Sequence, residues 1–132
     1  MFLDNQYDAG VPIYLQIMER IKQRILLGEW KSGERIQPVR ELAVEFGVNP
    51  NTMQRSLAEL EREGLLFSER TAGRFVTSDP DRIEELRAQM AQEIMRGFVR
   101  QMRSIGLTPD EVLRRLTPLL SDPYEQDKEE KL

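Results

Sequence analysis

The chain has 132 residues, 19 basic and 23 acidic groups, a net charge of −4, and neither cysteine nor histidine. That length holds one ordinary domain, or a small domain with an appendage. Disulfides and cysteine- or histidine-based catalysis are excluded, and a zinc site loses both of its usual ligand types; the acidic balance argues against indiscriminate coating of nucleic acid but leaves room for a local basic face.

The first ten residues, MFLDNQYDAG, are polar and read as a loosely held arm. They lack the basic-then-apolar pattern of a secretion signal. No apolar run approaches the roughly 18 residues of a spanning helix, so no membrane role is expected and the cytoplasm is the expected location. From Pro12 to Leu27, Ile13, Ile17, Ile21 and Ile25 recur every four residues, with Tyr14, Met18 and Leu26 beside them. That spacing predicts an amphipathic helix whose stripe is core, ended by Gly28. Leu26 and Trp30 are expected to close the domain from below, and Lys31 to Ile36 to form a turn.

Ile36 to Gly64 reads as two short helices joined by a tight turn. In the first, Val39, Leu42, Ala43 and Phe46 share a face. Pro38 suits the first helical position, where a missing N–H costs nothing, with Gln37 as a weak substitute cap. Gly47 supplies the left-handed residue that stops the helix. Asn49 is a strong N-cap with Pro50 behind it. The second helix buries Met53, Leu57 and Leu60 and ends at Gly64. Its other face presents Asn51, Thr52, Gln54, Arg55 and Ser56, side chains that suit the donors and acceptors of a major groove.

Leu65 to Phe67 then reads as a strand, Glu69 to Gly73 as a turn, and Arg74 to Thr77 as a returning strand. A helix-turn-helix followed at once by a hairpin is a winged helix. Beyond Ser78, Asp79 and Pro80 can open another helix. Its apolar positions Ile83, Leu86, Met90, Ile94, Phe98, Met102 and Ile105 step by three or four, and Gly106 stops it. Thr108 and Glu111 form a capping-box pattern. Val112, Leu113, Leu116, Leu119 and Leu120 face one way, with Pro118 expected to kink or end the last helix near Leu116 to Leu120. Residues 122–132 read as a frayed acidic tail.

The stretches PIYLQIMERIKQRILLGEWKSGERI, VRELAVEFGVNPNTMQRSLAELEREGLL and GRFV, in that order, resemble the GntR family of bacterial transcription regulators, over about residues 11 to 77. The VNPNT turn and short tail resemble its YtrA subfamily. The resemblance implies a homodimeric winged-helix repressor that binds an inverted repeat, often at a transporter operon. Arg40 stands at the family's DNA-contacting arginine. Asn49, Asn51, Thr52 and Gln54 stand where the family places groove or phosphate contacts. In the wing, Arg70 and Gly73 match. Thr71 replaces a glycine, which argues against deep minor-groove insertion, and Arg74 replaces a threonine and adds a candidate phosphate contact.

The expected architecture is therefore mainly α with a small β-hairpin. It comprises a winged helix-turn-helix DNA-binding domain over 1–78, a two-helix dimerisation or effector segment over 79–121, and the acidic tail. Two helices cannot bury so wide a stripe alone. It either packs back onto the winged helix or, as preferred here, pairs with a second copy through Ile83, Leu86, Met90, Ile94, Phe98, Met102, Ile105, Leu113 and Leu116. No cofactor or metal is expected. A small-molecule effector is open, with Met95, Phe98 and Met102 as candidate lining of an apolar pocket between copies. The alternative function is a winged-helix protein adaptor, which would call for an apolar or acidic outer face on the second helix. An enzyme is disfavoured, because no paired carboxylates or glycine-rich phosphate loop can be read.

Overall fold

The isoleucine stripe forms α1 (Ile13–Leu26) and is used as expected: Ile17, Met18, Ile21 and Ile25 are buried. The computed structural model describes residues 7–122. The elements that follow are α2 (Val39–Phe46), α3 (Pro50–Arg62), β1 (Leu66–Glu69), β2 (Gly73–Val76), α4 (Pro80–Ser104) and α5 (Pro109–Leu120). They group into two units, one up to Gln89 and one from Met90 onward. All of the expected acidic tail but Asp122 lies outside the described residues, as do the first six residues of the arm.

The first unit is three helices and a hairpin around one core. α3 packs against both α1 and α2, and Met53, Leu57 and Leu60 of α3 are buried together with Leu42, Ala43 and Phe46 of α2. Gly47 ends α2 at φ 67°, the left-handed position a glycine occupies without strain. Pro38 takes the N-cap of α2 rather than its first helical position, and no side chain caps that helix, so Gln37 does not act as a substitute. β1 and β2 pair antiparallel with Leu66 opposite Val76 and Glu69 opposite Gly73. The stretch expected as a plain turn adds a third rung: Arg35 bridges Phe75, Ile36 N donates to Arg74 O at 2.9 Å, and Val76 N donates to Glu34 O at 2.9 Å.

The arm is held where it is described. Tyr7 donates its hydroxyl to Phe46 O at 2.6 Å, at the end of α2, and Arg20 lies over its ring at 4.3 Å. Gln16 clasps Asp8 in both directions at 2.9 Å. Leu26 and Trp30 are half-buried, while Leu27 is exposed.

The first turns of α4 belong to this unit. Asp79 caps the helix, accepting from Asp81 N at 3.0 Å. Arg82 Nε donates to Glu63 O at 2.9 Å and Arg87 Nη2 donates to Leu26 O at 3.0 Å, so α4 supplies cations to the carbonyl ends of α3 and α1. Leu86 sits between those two arginines in sequence and is 1% exposed. The expectation that Leu86 lies in a seam between chains is thereby corrected: its side chain is consumed by its own core.

In the second unit the capping box is complete. Thr108 Oγ1 accepts from Glu111 N at 3.3 Å, and Glu111 Oε1 accepts from Thr108 N at 3.3 Å. The Thr108 hydroxyl also donates to Glu111 Oε1 at 2.9 Å, and this bond, with the one from Thr108 N, holds the Glu111 carboxyl below its ordinary pKa. α5 runs through Pro118 to Leu120. Its end at Leu120 falls within the stretch where Pro118 is expected to kink or end it; the ring removes one N–H and so frees one carbonyl of the preceding turn.

Candidate nucleic-acid interface

The outer face of α3 is built from its cap outward. Asn49 Oδ1 accepts from Asn51 N at 2.8 Å, and Pro50 fixes the first helical residue. Asn51, Gln54 and Arg55 are exposed, and Thr52 is half-buried. Ser56 is not on this face. It is fully buried, with Oγ 3.0 Å from Tyr14 O and 3.2 Å from Thr52 O, so its single proton serves two carbonyls at the contact of α3 with α1. The Arg55 guanidinium stacks on the Tyr14 ring at 3.7 Å. Stacking restrains the side chain but leaves its in-plane N–H donors free.

Arg40 lies in the first turn of α2 and is exposed. At the wing, Arg70 and Thr71 are exposed in the turn between β1 and β2. Gly73 opens β2 at φ 106°, a backbone that disfavours any side chain. Arg74 points elsewhere. Its Nε donates to Glu61 Oε1 of α3 at 2.9 Å, and Ser68 Oγ bonds the same carboxyl. Burial pushes the Glu61 carboxyl up, but the bonds from Ser68 and Arg74 and the Arg74 charge outweigh it and hold the pKa below its ordinary value. Arg74 thus pins the wing to α3. An open groove of about 420 Å³ runs between the wing and the start of α2, lined by Arg35, Gln37, Pro38, Ser68, Arg70 and Gly73 among others.

Apart from Arg20, which lies over the Tyr7 ring, the arginines of the first unit fall into two sets. Arg24 pairs with Glu45 at 2.6 Å, Arg62 with Glu59 at 2.8 Å, Arg74 with Glu61 at 2.9 Å, Arg87 with Glu84 at 3.1 Å and Arg82 with Glu85 at 3.6 Å. Among the described residues, Arg35, Arg40, Arg55 and Arg70 have no acid partner and no side-chain hydrogen bond. These four sit beside the wing, at the start of α2, on the outer face of α3 and at the wing tip. Arg35 was missed by reading the sequence, where Gly-Glu-Arg-Ile looked like a connecting turn; the alternation around Ile36 was its one signal.

The residues expected to join two chains divide in the same way. Ile83 is half-buried in the first unit together with the buried Leu86. In the second unit Met90, Phe98, Met102 and Leu116 are half-buried, whereas Ile94, Ile105 and Leu113 are 68%, 69% and 62% exposed. A cavity of about 320 Å³ lies between α4 and α5 within one chain, lined by Val99, Met102, Arg103, Leu107, Pro109, Val112 and Leu113. Of the three residues expected to line a pocket, Met102 lines this one; Met95 and Phe98 do not.

The family described as bacterial regulatory proteins, gntR family, matches residues 13–76. The uncharacterized HTH-type transcriptional regulator YhcF of Bacillus subtilis (strain 168) is 40% identical over 111 residues, 84% of this chain and 92% of that protein. The HTH-type transcriptional repressor YtrA of the same organism is 38% identical over 71 residues, 54% of this chain; the chain spans about half (55%) of that relative. A solved GntR family transcriptional regulator from Listeria monocytogenes superposes with a TM-score of 0.79 at 33% identity, covering 85% of this chain and 98% of that one.

Proposed function

The chain belongs to the GntR family of bacterial regulatory proteins, and from that premise we propose that it is a sequence-specific repressor that binds an inverted-repeat operator as a homodimer. The observation that carries the reading is the set of unpaired arginines. In a chain of net charge −4, Arg35, Arg40, Arg55 and Arg70 are left without acids around the outer face of α3 and the wing. Leaving cations unpaired on one face has a use when a polyanion completes them. α3 would enter the major groove, with Asn51, Thr52, Gln54 and Arg55 offering donors and acceptors to base edges. Arg40 and Asn49 would set its register through the phosphates.

A second copy would serve the repressor reading. Ile94, Ile105 and Leu113 are exposed apolar side chains that such a copy would cover. A two-fold axis would set two α3 helices one or more turns of DNA apart and so select a palindrome. Linked half-sites raise avidity by about 10²–10⁴. A transporter operon as target is carried over from the resemblance to the YtrA subfamily.

The test is selection of duplexes from a random pool by the full chain, followed by gel shift with Arg40→Ala and Gln54→Ala. Gln54→Ala should relax preference at one base pair and cost about 1–3 kcal/mol, whereas Arg40→Ala should weaken all sequences alike. Enrichment of no sequence, with retained binding to a protein partner, would favour the adaptor. Ile94→Asp with Ile105→Asp should give a monomer by sedimentation and bind single half-sites only; a dimer that survives both would displace the interface from this surface.

A further inference from the structure

The residue that sequence reading left in a turn has the most specific geometry on the wing. Glu34 to Ile36 runs antiparallel to β2, and this places the Arg35 side chain across the start of that strand. A Cβ on Gly73 would stand 2.9 Å from Arg35 Nε and 3.5 Å from both Cζ and Nη2. The guanidinium therefore lies against the bare α-carbon of Gly73, in a place that any other residue at 73 would fill. Burial does not explain this, because Arg35 is exposed. Nor does an ion pair, because among the described residues it has no acid and no hydrogen-bond acceptor. The groove beside it also holds Arg70 and the Gln37 and Ser68 side chains, with Glu69 as its acid. Its third arginine, Arg74, is already neutralised by Glu61.

We propose that Arg35 is a phosphate-binding residue of the wing, and that Gly73 is glycine in part to seat its guanidinium. The occupant is a phosphate of the DNA backbone, held between Arg35 and Arg70 at the mouth of the groove. An arginine fork laid flat against backbone keeps its N–H donors in one plane and gives up little rotamer freedom on binding. Such a contact fixes the wing on the duplex and carries no sequence information. The proposal rests on the DNA-binding reading above.

The test uses the full chain and two duplexes: one selected by the wild type from a random pool, and its shuffled counterpart. Affinity is measured by fluorescence anisotropy from 50 to 200 mM salt. Arg35→Met keeps the stem and removes the charge. It should flatten the plot of log affinity against log salt by about 0.9 per bound chain, roughly 3.5-fold in affinity over that range, equally on both duplexes. Arg35→Lys should restore the slope. Gly73→Ala should lower affinity in the wild type and much less when Arg35 is already methionine, since the seat then has nothing to hold. Circular dichroism melts should show Arg35→Met as stable as the wild type. A wild-type salt slope in Arg35→Met, or a change confined to one base position, would overturn the proposal, and fully additive effects of Gly73→Ala and Arg35→Met would overturn the seating of the guanidinium. If the wild type itself selects no duplex, the regulator reading falls and this one with it; if it does and Arg35→Met behaves as wild type, only this one falls.

Discussion

Two wing arginines look interchangeable in sequence, and the structure gives them opposite tasks. Arg70→Ala removes an exposed, unpaired cation at the tip. Arg74→Ala removes the partner of Glu61, in a pair whose side chains are 16% and 28% exposed. A hydrogen bond to a charged group is worth about 1.5–3 kcal/mol. Because water reaches both groups and Ser68 keeps its bond to Glu61, the loss should be nearer about 1–2 kcal/mol. For a unit of this size each kcal/mol moves Tm by roughly 4–8 °C. Arg74→Ala should therefore melt several degrees early by circular dichroism. Measured well below its Tm, it should keep the salt slope of DNA binding. Arg70→Ala should melt with the wild type and lose about 0.9 of slope per chain. A double-mutant cycle of Arg74→Ala with Glu61→Gln isolates the pair. An Arg74→Ala protein with unchanged Tm and a reduced slope would refute the assignment, because the arginine would then be spending its charge on DNA.

Leu86→Ala should destabilise the first unit by about 2–5 kcal/mol in urea denaturation without changing the sedimenting mass, since the side chain is core. For the same reason a chain cut after Thr77, which loses Leu86, Arg82 and Arg87, should unfold at lower urea than one cut after Gln89. Asn49→Ala should cost about 0.5–2 kcal/mol through the lost cap, before any effect on DNA binding is counted. Glu61 and Glu111 both have folded pKa values below the ordinary one, so their stabilisation is complete above about pH 4.3 and is lost as pH falls through the lowered folded values. Acid titration of the two carboxyls by NMR should show midpoints below that of an unstructured glutamate.

Much of this architecture is legible in the sequence because it is local. The four-residue isoleucine spacing, Gly47, the Asn49-Pro50 start and the Thr108–Glu111 box each act within a turn or two, and each element lies where they place it. What escapes is set by neighbours distant in sequence. Ser56 reads as polar surface until Tyr14, 42 residues away, supplies a carbonyl. Arg74 reads as a free cation until the fold brings Glu61 of α3 against it. The stripe from Ile83 to Ile105 is unbroken in sequence, yet Leu86 is spent on the first unit while Ile94 and Ile105 are left in water. Periodicity identifies the apolar face of a helix and cannot say which partner covers each turn. On the candidate DNA-facing side, hydrogen-bonding type marks Asn51, Gln54 and Arg55, whereas Arg35 becomes visible only when its strand lies next to β2.

The division of the arginines into paired and unpaired sets also bears on how such a protein would search a chromosome. With a net charge of −4, the chain as a whole would be repelled by a polyanion, but only within about 10 Å, beyond which salt screens the interaction. Four arginines of the first unit without an acid partner would favour approaches that bring the outer face of α3 and the wing to the duplex. Long one-dimensional slides, which need a broad cationic surface, would be disfavoured in such a protein. A low background at random sequence would in turn let a small cellular stock keep one operator filled against the roughly 10⁶–10⁹ competing sites of a genome.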